Sequence, residues 1–114
     1  MSKQVQEFND MIRKLRKNLF GKGPDRIQTV FIENKAISTM YGNLTISEKF
    51  IAQTEEGKEM IHRARTKLIQ ERYAREAPEG LEELVGSRLE HLFSDIKIDE
   101  DIAVSVFIFE KNIV

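Results

Sequence analysis

Residues 42–76 most constrain how this chain can fold: a Gly-Asn turn leads into the longest helical pattern in the sequence, and a pair of strand-like segments stands on either side. A helix placed there carries the chain from one hairpin to the next, which brings both hairpins into one sheet. Its start is sharply punctuated. Thr45-Ile46-Ser47-Glu48 has capping-box spacing, with the threonine oxygen accepting an orphan N–H and the glutamate accepting one in return. Leu44, just before the cap, is placed to act as a hydrophobic staple. Thr54, followed by Glu55 and Glu56, is a second start signal whose charges suit a helix N-terminus. The expectation is a short helix near 46–53 and a long one over 55–76, with Gly57 weakening the junction by about 1 kcal/mol relative to alanine.

The long helix has two unequal faces. At about 100° per residue, Gly57, Met60, Ile61, Ala64, Leu68 and Glu71 fall together and form the expected core stripe. Opposite them His62, Thr66, Ile69 and Tyr73 make a candidate interaction face, more apolar than solvation requires and suited to another subunit or a partner. Arg63, Arg65 and Arg72 on the flanks are candidate anion contacts beside a helix–sheet cleft.

Before this stretch, Val5, Phe8, Ile12, Leu15 and Leu19 recur at helical spacing over residues 3–19. Cations in the last turns oppose the negative end of that helix dipole. Gly21-Lys22-Gly23-Pro24 then stops it, glycine at the cap and proline beyond. The Gly-Lys-Gly is no phosphate loop: it closes a helix instead of opening one, and lacks the four-residue glycine spacing. Residues 26–33 and 36–41 read as strands joined at Asn34-Lys35. Val30-Phe31-Ile32, apolar on both faces, argues for an interior first strand and leaves the half-polar second strand at an edge.

After the long helix, Pro78 and Gly80 break the pattern, and Leu81, Leu84 and Val85 make one amphipathic turn ending at Gly86. Residues 88–98 and 102–110 form the second strand pair around Asp99-Glu100-Asp101, the last strand being rich in β-branched and aromatic residues. The fold class expected is α+β: helix, hairpin, helix, hairpin, with a four-stranded antiparallel sheet in the order 2-1-4-3 and helices mainly on one face. Apolar residues left on the second sheet face point to a homodimer.

At 114 residues the chain makes one domain, 1–114, able to bury roughly 65% of its unfolded surface. With no cysteine, disulfides and thiolate chemistry are excluded, which fits a cytoplasmic protein. No apolar run approaches the roughly 20 residues needed to span a bilayer, so membrane contact would be peripheral or run through a partner. Residues 1–24 carry six Lys/Arg against two Asp/Glu, and residues 76–110 carry two against ten. With a net charge of −1 the chain lacks the positive excess that nucleic-acid binding demands.

No catalytic, cofactor-binding or metal constellation emerges. His62 and His91 lie on different elements, and Glu59, three residues before His62, is placed for no more than a surface ion pair. His91 and Ser94 point to opposite faces of one strand, so they form no part of a triad. The acidic turn lacks the ligand spacing of a calcium loop.

Gly21-Lys22-Gly23-Pro24, Tyr41-Gly42-Asn43-Leu44-Thr45 with Glu48, and Ser94-Asp95 before the last strand occur in an order that resembles the small bacterial MpsC-like, or YbcI-like, family. The resemblance covers nearly the whole chain. It implies association with a sodium-translocating, membrane-potential-generating system that is linked to inorganic carbon uptake, and carries over no catalytic residue. The function expected is a non-enzymatic accessory or regulatory protein that self-associates and meets membrane-complex subunits, the alternative being a small-molecule or anion-binding domain.

Overall fold

The structure is a computed structural model and describes residues 2–114. Helix α1 spans Lys3–Phe20, and the hairpin β1 Arg26–Ile32 and β2 Lys35–Tyr41 follows. The crossover consists of α2 Ile46–Ile51 and α3 Glu55–Arg72. A short α4, Leu81–Val85, precedes the second hairpin, β3 Leu89–Lys97 and β4 Ile102–Phe109. The capping signals act as expected. Thr45 and Glu48 close the capping box of α2, Thr54 caps α3, and Gly21 ends α1 in the left-handed conformation at φ 85°.

All four strands pair antiparallel in one sheet, in the order β1-β2-β4-β3. Both hairpins and the central place of β4 follow the expectation, and the difference lies in which strand of the first hairpin meets β4. Here β2 does, leaving β1 at the edge where 2-1-4-3 would have put it inside. The physical reason is visible in the side chains. Val30 and Ile32 make β1 apolar on both faces because they lie on an open sheet face, 60% and 50% exposed, while the polar residue Ser38 of β2 is fully buried. The first turn also falls one residue early, at Glu33-Asn34, with Glu33 at φ 54°.

Helices cover one face of the sheet. There the side chains fall into three rows across all four strands. Ile27, Met40, Ala103 and Ile96 form one apolar row, and Phe31, Ala36, Phe107 and Leu92 form another. Phe8 of α1 stands edge-on between Phe31 and Phe107, at centroid distances of 5.3 and 5.2 Å. Between the two apolar rows runs a row of hydroxyls: Thr29, Ser38, Ser105 and Ser94.

Both long helices are turned from their expected phase. In α1, Asn9 and Arg16 are buried with Phe8 and Ile12, while Leu15 and Leu19 are only half-buried. In α3 the buried set is Gly57, Ile61, Arg65 and Ile69, and Met60 and Leu68 are exposed. The core stripe of α3 is therefore rotated by roughly 60° from the one the apolar residues alone define.

Candidate functional site

The hydroxyl row explains why polar helix residues turn inward. The Thr29 hydroxyl donates to Asn9 Oδ1 and lies 2.7 Å from Ser38 Oγ. At the other end Arg16 Nη2 donates to Ser94 Oγ at 3.1 Å and Ser105 Oγ at 3.2 Å, and these two hydroxyls are 2.9 Å apart. Asn9 and Arg16 are seven residues apart, two turns of one helix, so a single face of α1 meets both ends of the row. Among the described residues no carboxylate pairs with Arg16. Burial, and then the neighbouring charge of Arg65, bring its guanidinium down to about 10.

Arg65 solves the same problem differently. Its Nε and Nη2 donate to the two carboxylate oxygens of Glu48, each at 2.7 Å, and Nη2 also donates to the Asn43 carbonyl at 3.0 Å. Burial pushes the Glu48 carboxyl up, but hydrogen bonds from Arg65 and Thr45 and the charge of Arg65 outweigh it, leaving it below its ordinary value. The Phe20 ring lies between the two cations, 4.1 Å from the Arg65 guanidinium carbon and 5.5 Å from that of Arg16.

The glycine-bearing turns meet at one end of the sheet. Lys22 donates to the Gly42 carbonyl and, at 2.9 Å, to Asp25. The Asp101 carboxylate accepts from the backbone N–H groups of Asn43 and Leu44, and its carbonyl accepts from Gly42 N–H. Gly42 sits at φ 68°, where a Cβ would overlap the Asp25 carboxylate at 2.2 Å. Together these bonds tie the end of α1, the end of β2 and the start of β4 into one junction.

The residues singled out from sequence do not gather into one site. Of the candidate interaction face, Ile69 is buried at 9% exposure against the sheet, Thr66 and Tyr73 are half-buried, and only His62 is exposed. That stripe is thus largely the inward side of α3, the correction following from the helix rotation above. His62 Nε2 lies 2.7 Å from Asp95 Oδ1 across the edge of β3, in place of the expected pairing with Glu59, and this bond holds the Asp95 carboxyl below its usual range. The three candidate anion contacts also separate. Arg65 is consumed by Glu48, Arg63 lines an open cleft with Lys58, His62 and Asp99, and Arg72 stacks on Tyr73. Among the described residues no three His, Asp or Glu side chains converge as metal ligands would.

What remains accessible is the second face of the sheet. Val30, Ile37, Val106 and Phe93 are direct cross-strand neighbours, an apolar row spanning all four strands. Val30 is 60% and Phe93 59% exposed, with Ile32 and Val104 also exposed beside them. Sequence reasoning noted apolar residues on this face but not their alignment, which the Glu33-Asn34 turn makes legible by setting Ile32 opposite Lys35 and hence Val30 opposite Ile37.

A four-stranded antiparallel sheet, covered by helices on one side and open and apolar on the other, defines a small α+β domain whose accessible feature is a surface and whose inward polar groups hold the fold together. The chain belongs to the family described as the Na+-translocating membrane potential-generating system (MpsC), whose model matches residues 2–111. It is 67% identical, over 113 residues, to the uncharacterized protein YrhF of Bacillus subtilis (strain 168), a match covering 99% of this chain and 93% of that protein. No solved structure gives a significant match. Among the described residues, no helix is long and apolar enough to cross a membrane.

Proposed function

We propose that this chain is a non-enzymatic accessory or regulatory protein of a sodium-translocating, membrane-potential-generating system, working at the cytoplasmic side through protein contacts and as a homodimer. The family's description, a Na+-translocating membrane potential-generating system, supports the choice of system. The observation that carries the surface-based role is the open apolar row Val30–Ile37–Val106–Phe93, since a contiguous exposed apolar patch marks an interaction site. The link to inorganic carbon uptake that the family resemblance implies belongs to the same reading. The test is capture of membrane subunits from native membranes by a tagged chain, with sodium-dependent membrane potential measured in cells lacking the protein. Recovery of the transporter subunits and a lowered potential are expected. An unchanged potential together with no membrane subunit recovered overturns the reading.

A second reading, a small-molecule or anion-binding domain, has one observation in its favour. A groove of about 600 Å³ between α1 and residues 72–79 is lined by Leu15, Leu19, Tyr73 and Pro78, with the cations Lys14 and Arg72 beside the carboxylates of Glu7, Asp10 and Glu79, a mixed lining that suits a small molecule with an apolar body better than a bare anion. Bicarbonate, nucleotides and sodium in a thermal-shift screen test it. A rise in melting temperature that Arg72→Ala abolishes is expected, and no shift with any of them rejects it.

A further inference from the structure

We infer that the groove between α1 and residues 72–79 holds a short apolar peptide with free ends, its ammonium group towards Glu7 and Glu79 and its carboxylate towards Lys14 and Arg72. The groove is that of the second reading above. Naming the ligand goes beyond that reading, and the two fail separately.

The groove follows from the way α1 is turned. Asn9 and Arg16 face the hydroxyl row, so Met11, Leu15 and Leu19, four residues apart, come to the flank and stay half-buried. The chain leaving α3 runs back beside this stripe, antiparallel to α1. At one end Tyr73 is near enough to Arg16 for their charges to interact. At the other, a Cβ on Gly80 would lie 3.4 Å from the Met11 methyl carbon, and Gln4 Nε2 donates to the Leu84 carbonyl at 2.9 Å. Tyr73 and Pro78 thus wall an apolar floor on α1. From Glu7 to Leu19 the floor is about 18 Å long, at about 1.5 Å per helical residue.

The charged lining separates along that length. Glu7 and Asp10 come first on α1, and Glu79 joins them because Gly80 abuts Met11. Lys14 follows, and Arg72, stacked on Tyr73, stands at the far end. Asp10 has Arg13 at 3.5 Å in an exposed pair that contributes little. Among the described residues no ion pair engages Glu7, Glu79, Lys14 or Arg72. Lys17, Arg75 and Glu76 lie outside the lining. A bare anion would meet the carboxylates, and a fatty acid would lay its tail over Glu7 and Asp10. An ammonium and a carboxylate joined by an apolar body satisfy both ends and cover the floor. An extended chain advances about 3.3 Å per residue, so three residues set the end groups about 10 Å apart. The step from Glu7 to Lys14 along α1 is also about 10 Å.

Calorimetric titration of the full chain with trileucine is the test. Binding is expected, and acetylating the amine or amidating the carboxylate should each weaken it about fivefold, the upper value for an exposed ion pair. The double variant Glu7→Ala/Glu79→Ala should lose the response to acetylation alone, and Lys14→Ala/Arg72→Ala the response to amidation alone. All four side chains are exposed, so circular dichroism should not change. Triserine keeps both charges without the apolar body and should not bind. Absence of trileucine binding overturns the inference, as does binding indifferent to both caps or matched by triserine. Binding of dodecanoate in place of trileucine would assign the groove to an acyl chain and reject the peptide. A melting-temperature rise with bicarbonate or a nucleotide, and none with trileucine, would keep the second reading and overturn this inference. The reverse result would establish the peptide and reject those ions and nucleotides as ligands.

Discussion

Glu48 both closes the capping box of α2 and neutralises Arg65, a residue of α3 that is only 4% exposed. One carboxylate therefore sets the start of one helix and allows a cation to occupy the core face of the next. Removing it strands a buried guanidinium. Glu48→Gln keeps an oxygen for the cap but loses the charge, and should lower unfolding free energy by about 2 kcal/mol in urea denaturation.

The same pair gives stability a pH dependence of known sign. Glu48 is held below its ordinary value of 4.5 in the folded state, so the unfolded chain takes up the proton first as pH falls. Its contribution is fully present above about 4.5 and is lost as pH drops through the folded value. Melting temperatures of wild type and Glu48→Gln should differ most near neutrality and converge in acid. A difference that stays constant from pH 7 to pH 3 would count against this coupling.

Gly57 reverses an ordinary helix rule. Propensity alone makes alanine better there by about 1 kcal/mol. In the folded chain, however, a Cβ at Gly57 would lie 1.7 Å from the Ile51 carbonyl oxygen and 2.7 Å from its carbon. The end of α2 is backbone at that point and has no side chain to move aside. Gly57→Ala should destabilise by about 3 kcal/mol or more, seen as a lower urea midpoint.

Arg16 is bonded to hydroxyls, and among the described residues no carboxylate pairs with it. A buried cation without a counter-ion gains little over an apolar side chain of similar length. Arg16→Met should leave stability within about 1 kcal/mol of wild type or raise it. Ser94→Ala combined with Ser105→Ala should cost about 2 kcal/mol, because it removes the acceptors and leaves the charge buried. Equilibrium unfolding of the two variants side by side decides the matter.

Signals in the sequence are legible where the physics is local. Thr45 with Glu48, Thr54 and Gly21 each mark a helix boundary through bonds made within a few residues, and they stand where expected. Hairpin pairing follows from short turns, so both hairpins were legible apart from a one-residue offset at Glu33-Asn34. The phase of the helices was not. An arginine reads as a surface residue until its acceptors are known, and those of Arg16 and Arg65 lie 78 and 17 residues away.

The sequence by itself determined the elements, the helix starts at Thr45 and Thr54 and the antiparallel α+β class, because capping, turn geometry and side-chain period act over a few residues; the end of the long helix was not among these, since α3 stops at Arg72 and not at the expected Glu76. It also determined that one face of the sheet would keep apolar side chains. Only the tertiary structure decided that β2 meets β4, that a hydroxyl row crosses the sheet beneath α1, and that Ile69 turns inward while Met60 turns out. Those outcomes depend on partners distant in sequence: the burial of a charge or a hydroxyl becomes favourable only once Glu48, Ser94 or Asn9 is brought within bonding distance.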